Sequence, residues 1–435
     1  LASMRHCCPV LRKQGRCSKI QISVSQQKRR PVVSGVRFRP VEQKFGTKLC
    51  SDDEIIRTMT DSDPAAVATG LPNRYYSNRE DFLAEREKIF APMWTCIGFA
   101  SNAPNPGDVF PIEFMELPLL LVRGSDQVLR VFHNVCRHRG HVLISAPGTV
   151  KQSLRCPYHS WTYTLEGKLA RTPNIGGPGI NQIESLDRSK FGLVEVASAQ
   201  WHDLVFINLS GDAPPFAEFI FPLAQRWAPY WGSEGPSLLR LGDSHSRIEL
   251  ELSANWKLAV ENYLEAYHLP TVHPALNKVS PLADHEIYLT EDFAGQLSHC
   301  YTLGAGADGH LPVFPAWPKD AYQEAEYPAL FPNTLLGLQA DHLFVMVVIP
   351  LAYNRTLEET RLYCVGDQVL SPRFTQLRKA QHTFWREVFA EDIDVVMGMQ
   401  AGRASPGFDG GVLTPVMDSA TAAFHRWAGE RLGSR

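Results

Sequence analysis

Two short runs carry the residue types most suited to metal chemistry: Cys136-Arg-His138, then seventeen residues, then Cys156-Pro-Tyr-His159. Each falls at a turn between strand-like runs, so two loop tips each offer one thiolate and one imidazole. Two thiolates can hold one iron of a [2Fe–2S] cluster while two histidines hold the other. Neutral histidines in place of anionic cysteines let such a cluster take up an electron at higher potential. Zinc is the competing occupant, because two cysteines and two histidines also complete a tetrahedral structural site. A zinc finger usually pairs Cys with Cys and His with His, whereas here each loop donates one of each. Arg139-Gly140-His141 and Ser160-Trp161 follow the ligands and supply backbone donors and an aromatic cover.

In these motifs the chain resembles the α (oxygenase) subunit of Rieske-type non-haem iron oxygenases, which match in residue type, order and spacing. The resemblance requires a mononuclear iron site downstream. The run Asn255-Trp-Lys-Leu-Ala-Val-Glu-Asn-Tyr-Leu-Glu-Ala-Tyr-His268-Leu-Pro-Thr-Val-His273-Pro is similar to the family's iron-binding stretch almost position for position. Physically, Asn255 or Ser253 can cap a helix whose apolar face includes Trp256, Val260 and Leu264. Glu265 and His268, three apart, share a face. Pro270 ends the helix and frees His273 to turn back, since histidines five apart on an unbroken helix would point apart. Two histidines leave room for one carboxylate, the facial arrangement of non-haem Fe(II) oxygenases with open positions for O2. The resemblance places that carboxylate in an acidic pair a fixed distance before a glutamine. Phe389-Ala-Glu391-Asp392-Ile-Asp394 and Gln400 fit, which gives Asp392 as third ligand and Asp394 as the alternative. It also implies that Glu265 bridges to His159 of the neighbouring subunit and carries electrons between sites, with Asn262 beside it as a second catalytic residue. Choline, carnitine and glycine-betaine oxygenases tend to have Glu at that position, whereas ring-hydroxylating dioxygenases usually have Asp.

The elements that must position these residues follow from hydropathy patterning. Residues 77–90 read as an amphipathic helix with Phe82, Leu83, Ile89 and Phe90 on its apolar face. Strands are expected at Trp94–Phe99, Val109–Phe114, Leu117–Val122 and Val128–Asn134, separated by turn residues. Gly211-Asp-Ala-Pro-Pro215 reads as a linker. Beyond it come a strand over Ser246–Leu252, a helix from about Asn255 to Leu269 and a Pro/Gly-rich stretch from Gly304 to Pro332. A buried strand over Leu343–Ile349 and helices near Thr375–Ala390 and Asp418–Arg431 complete the chain. The fold class is α+β. An all-β Rieske domain (93–211) follows an N-terminal helical segment (51–92), and an α+β catalytic domain (212–435) has, by the resemblance, a curved antiparallel sheet around a long helix. Gly304-Ala-Gly306-Ala-Asp-Gly309 has the spacing of a dinucleotide motif, but His310-Leu-Pro-Val-Phe-Pro cannot form the helix that motif needs, so it reads as a loop.

The chain has 435 residues, 44% hydrophobic and 20% charged, with a net charge of −3 and nine cysteines. That balance excludes a disordered, collagen-like or disulfide-scaffold class, and it leaves no global basic field for nucleic acid. No apolar run approaches the ~20 residues of a membrane helix. Residues 1–50 hold twelve Lys or Arg against one acid, Glu42, leaving 31 basic and 45 acidic residues beyond. Such a basic, serine-containing leader has the composition of an organellar transit segment, or of a plain disordered leader. The expected location is accordingly intracellular, in the cytoplasm or, with a transit segment, the plastid stroma or mitochondrial matrix. The resemblance implies a [2Fe–2S] Rieske cluster and a mononuclear Fe(II), a ferredoxin or flavin-dependent reductase as donor, and a homotrimer. It further implies O2-dependent hydroxylation or N-dealkylation of a small quaternary ammonium compound of choline, betaine or carnitine type. The alternative on the same scaffold is an aromatic-ring hydroxylating dioxygenase or an O-demethylase.

Overall fold

The computed structural model describes residues 67–242, 246–304 and 309–433. The basic leader 1–50, and the centre of the Gly304–Gly309 run, lie outside the described residues. Each of the four strands expected early in the chain forms, to within one residue at either end: Thr95–Phe99, Asp108–Phe114, Leu117–Arg123 and Leu129–His133. They join Gly148–Thr149, Glu195–Trp201 and Leu204–Asn208 in a seven-stranded sheet whose paired neighbours are all antiparallel. A three-stranded sheet of Ser153–Arg155, Thr162–Thr164 and Leu169–Arg171 stands apart. Val109, Leu120, Phe132, Leu154 and Tyr163 form a small core that also contains Cys136 and Cys156.

The second sheet is eight-stranded, antiparallel and curved. Its longest strands form the hairpin of His342–Ala352 and Arg355–Val365, paired along nearly its whole length. The first of these strands is apolar on both faces because both are covered, as its unbroken burial up to Leu351 records. Ala325–Leu330, expected to lie in irregular Pro/Gly-rich chain, is instead a buried strand of this sheet. Its pairing with Thr334–Gln339 lapses at Tyr327 and Pro328, where proline has no N–H to give.

Three helices matter for the site: α1 (Trp256–Tyr263), α2 (Thr375–Gly402) and α3 (Ser419–Leu432). The α2 helix runs twelve residues past its expected end. Its buried positions Arg378, Gln381, Trp385, Val388, Phe389 and Val396 recur at intervals of three and four, the mark of one face against a sheet. The α1 helix begins as expected, with the Asn255 side chain accepting from the Lys257 N–H, but it stops at Tyr263 rather than near Leu269. Glu265 and His268 therefore sit in a turn, not on a shared helix face. There the Glu265 carboxylate accepts the N–H groups of Tyr267 and His268, offering the backbone an alternative to helix. Pro270 opens the short helix Leu269–Val272 instead of ending α1. In a first turn its missing N–H costs nothing.

Behind α1 lies a buried ionic layer. Lys257 donates to Glu85, to the Tyr75 carbonyl (2.7 Å) and to Asn255 (2.8 Å), and the Trp256 indole donates to Glu85 (2.7 Å). Glu261 accepts from Tyr76 (2.5 Å) and pairs with His425 of α3 (2.9 Å). The segment of the first expected helix, Arg79–Glu85 with a π-helical turn over Arg86–Phe90, is thus tied into the core that carries α1. No helix among the described residues is long and apolar enough to cross a membrane.

Candidate metal centres and substrate cavity

The two Cys/His loops are built alike. The Cys136 N–H donates to the His141 carbonyl and the Cys156 N–H to the Trp161 carbonyl, both at 2.8 Å. The carbonyls of Cys136 and Cys156 accept the N–H groups of Gly140 and Ser160, both at 3.0 Å. Each loop turns through a left-handed residue, Gly140 (φ 74°) in one and Ser160 (φ 61°) in the other. Cys136 and Cys156 are buried side by side in the small core, where burial pushes the Cys136 thiol up and Tyr163, 3.3 Å from its sulfur, pulls it down. The two imidazoles meet edge to face, ring centres 4.7 Å apart, and Trp161 stacks on His138 at 4.8 Å. His159 Nδ1 is buried without a hydrogen-bond partner. A buried nitrogen left unpartnered is costly unless something binds it. Two adjacent thiols and two adjacent imidazoles, one with an orphaned nitrogen, are a donor set that fits a [2Fe–2S] cluster.

The second constellation also assembles. Among the described residues, His268, His273 and Asp392 form the group of metal-type donors whose atoms lie within 4.8 Å of one another. Asp392 Oδ1 is 2.9 Å from His273 Nε2 and 3.7 Å from His268 Nε2. Asp394, the alternative ligand, is exposed on the same helix and stays outside this group. Each imidazole is held from behind by a carboxylate. Glu265 Oε1 lies 2.6 Å from His268 Nδ1 and Glu391 Oε2 lies 2.7 Å from His273 Nδ1. With the proton thereby fixed on Nδ1, both Nε2 lone pairs are free to ligate. Burial opposes protonation of His273, but Asp392 and Glu391 outweigh it and leave the ring readier than usual to carry a proton. The site thus favours positive charge at the meeting point of these ligands, which a divalent metal supplies. Glu391 was not singled out by sequence reasoning. Its adjacency to Asp392 was the available signal, and its partner is 118 residues away.

Beside this group opens a cavity of about 70 Å³. Asn262 and Glu265 line it, as do the rings of Tyr263, Tyr327, Phe344 and Trp385. Neither Lys nor Arg is among its lining residues. One wall depends on a missing side chain: a methyl group on Gly337, directly across the hairpin, would overlap the Phe344 ring. Tyr267 is exposed, while Phe314 and Trp317 pack against Trp231 and Tyr230.

Comparison with known proteins agrees with this division of labour. Residues 93–186 match the model of the Rieske [2Fe–2S] domain, and residues 240–434 match that of the ring hydroxylating alpha subunit catalytic domain. The carnitine monooxygenase oxygenase subunit of Acinetobacter pittii is 29% identical over 352 residues, 79% of this chain and 88% of that protein. The glycine betaine monooxygenase oxygenase subunit of Chromohalobacter salexigens is 32% identical over 206 residues, 47% of this chain and 43% of that protein. A quaternary ammonium Rieske monooxygenase solved with L-carnitine superposes at a TM-score of 0.69 with 26% identity, covering 85% of this chain and 97% of that one. Naphthalene 1,2-dioxygenase, at 19% identity and a TM-score of 0.65, shares the fold. A cluster-binding domain followed on one chain by this catalytic domain is the plan of a single enzyme family: the protein belongs to the Rieske non-haem iron oxygenases, as the α subunit of a multicomponent oxidoreductase that binds a [2Fe–2S] cluster and a mononuclear iron.

Proposed function

We propose that this chain is the oxygenase component of a monooxygenase that hydroxylates a small quaternary ammonium compound of choline, betaine or carnitine type at a carbon next to nitrogen, with N-dealkylation following where the product collapses. The cavity carries this reading. Its volume of about 70 Å³ suits a molecule of few heavy atoms, since one water needs roughly 10–15 Å³ on the same measure. Its walls are aromatic faces, which attract a cation. Two carboxylates, Glu265 and Asp392, stand at its edge, and no lining Lys or Arg repels a cation. The carnitine and glycine betaine enzymes among the relatives point the same way.

In this reading Cys136 and Cys156 hold one iron of the cluster, and His138 and His159 hold the other. His268, His273 and Asp392 hold the mononuclear iron. When bound, the cluster supplies electrons and the mononuclear iron activates O2. One oxygen atom enters the substrate and the other leaves as water, consuming two electrons and two protons. The chain's own contribution is positional. Glu265 and Glu391 fix the imidazole tautomers, and the aromatic walls exclude water and orient the ammonium group. Glu265 also offers its carboxylate toward a neighbouring subunit's His159 in a homotrimer, with a ferredoxin or flavin-dependent reductase as donor. The Rieske domain is residues 93–211 and the catalytic domain 212–435, and the compartment is intracellular and reducing. Substrate-dependent O2 uptake by the reconstituted enzyme with a surrogate reductase tests the function. Choline, glycine betaine or L-carnitine should stimulate uptake and yield hydroxylated or demethylated product. Uptake with aromatic acids or aryl ethers alone would transfer the chain to the ring-hydroxylating or O-demethylating branch.

A further inference from the structure

One buried chain of polar groups has no part in the metal sites, yet it ends on a wall of the cavity. Asp341 and His342 lie where the hairpin from Thr334–Gln339 turns into the strand His342–Ala352, and both are almost wholly buried. His342 Nδ1 is 2.6 Å from Asp341 Oδ1, and the Trp385 indole N–H donates to His342 Nε2 at 2.9 Å. An indole nitrogen only donates, so Nε2 must accept and the His342 proton must sit on Nδ1, facing Asp341. The other Asp341 oxygen accepts the Leu311 N–H at 3.3 Å. The arrangement is therefore a directed chain, carboxylate to imidazole to indole, with every member's polar atoms engaged. Its terminal ring lines the substrate cavity, packed 4.5 Å from Phe344 and 5.6 Å from Phe389 between ring centres. Trp385 stands on α2 seven residues, two turns, before Asp392, so ring and ligand share one helix face.

A core tryptophan needs an acceptor for its N–H, and a backbone carbonyl would suffice. Here the acceptor is an imidazole polarised by a buried carboxylate. Negative charge relayed to the indole nitrogen enriches the ring's π face, the property on which attraction to a cation depends. We infer that Trp385 is the specificity-determining residue for the positive charge of the substrate, and that His342 and Asp341 are positioning residues that hold its ring and raise its affinity for cations. This deepens the quaternary ammonium reading and rests on it.

The test compares two ligands of one shape. The trimethylammonium compound that the enzyme turns over and its tert-butyl isostere, with carbon in place of nitrogen, are bound to anaerobic holoenzyme and followed by calorimetry. Wild type should prefer the ammonium form by roughly 10- to 30-fold, the scale of a desolvated cation–aromatic contact. Trp385→Leu should abolish the preference. Asp341→Asn keeps the shape and removes the charge. His342→Gln keeps an acceptor for the indole and breaks the relay. Both should cut the preference severalfold by weakening the ammonium ligand alone, raising its KM with kcat within about twofold of wild type. Cluster absorbance and iron content, unchanged in both, exclude misfolding as the cause. Equal weakening of both ligands, or a preference kept in both conservative variants, overturns the relay while leaving the function standing. A wild-type enzyme that binds the two isosteres equally refutes Trp385 as the residue that selects the positive charge, whereas failure to turn over any trimethylammonium compound would overturn the quaternary ammonium reading itself.

Discussion

His273 shows how one residue's role depends on another that ligates nothing. Its Nδ1 is held by Glu391, so removing that carboxylate frees the ring to rotate and swap tautomers. Glu391→Ala should lower affinity for the mononuclear iron by about 10- to 100-fold, read by metal competition, while cluster absorbance stays intact. Glu391→Gln, whose amide oxygen still accepts from Nδ1–H, should keep most of that affinity. Glu265→Gln offers a sharper contrast. Its amide oxygen can still hold His268 Nδ1, although its NH2 cannot accept the Tyr267 and His268 N–H groups as Oε2 does; both metals should remain and the external donor should still reduce the cluster, yet product formation should fall steeply. Wild-type turnover by that variant would remove Glu265 from the electron path. Gly337 acts on substrate rather than metal. Gly337→Ala should drive Phe344 toward the cavity, weakening substrate binding and costing about 1–3 kcal/mol of stability in denaturant titration.

At the scale of elements, α1 is held in place by ionic pairs as much as by apolar contacts. Burial pushes the Glu85 carboxyl up and pulls the Lys257 ammonium down, and each opposes the shift in the other. Lys257→Met should therefore destabilise the protein by about 3–5 kcal/mol, because Glu85 would be left without its cation. Adding Glu85→Gln should restore much of the loss. Glu261 behaves differently: burial pushes it up, but His425, Arg403 and Tyr76 outweigh this and hold it below the ordinary carboxylate range. A depressed folded value means that its stabilising contribution is present above the unfolded carboxylate value and is lost as pH falls through the folded one, so Glu261→Gln should flatten the acid limb of the melting curve. These elements were unequally legible in the sequence. The early strands are short apolar runs bounded by turn residues, and were readable to within a residue. The α1 helix was overextended because the residues after Tyr263 remain compatible with helix; only Glu265 capturing the Tyr267 and His268 N–H groups stops it. Ligand motifs that lie within a few residues of one another were readable as well. Asp392 needed the family resemblance, Glu391 was marked only by its adjacency to Asp392, and His342 left no mark because Trp385 lies 43 residues along the chain.

For the whole molecule, the question is which cluster serves which iron. If Glu265 reaches His159 of a neighbouring subunit, neither metal of one chain is sufficient for turnover. Cys156→Ala and His273→Ala proteins should each be inactive alone, the first lacking the cluster and the second the mononuclear iron. Co-expressed and co-assembled, they should regain a fraction of wild-type activity, because some assemblies place an intact cluster beside an intact iron. Activity that does not return in verified mixed assemblies would confine electron transfer to a single chain.

The α2 helix also acts as a ruler. With a rise of about 1.5 Å per residue, the seven positions between Trp385 and Asp392 span about 10 Å along one stiff rod. A molecule gripped by the indole at one graduation presents its carbon at a set reach from the carboxylate at the other. Longer substrates would then be accommodated by moving the aromatic grip one turn back, to Gln381, while the carboxylate stays where it is. Inserting a single residue between the two marks would rotate them about 100° out of line, so chain length and reactive carbon should change together in engineered forms of this enzyme.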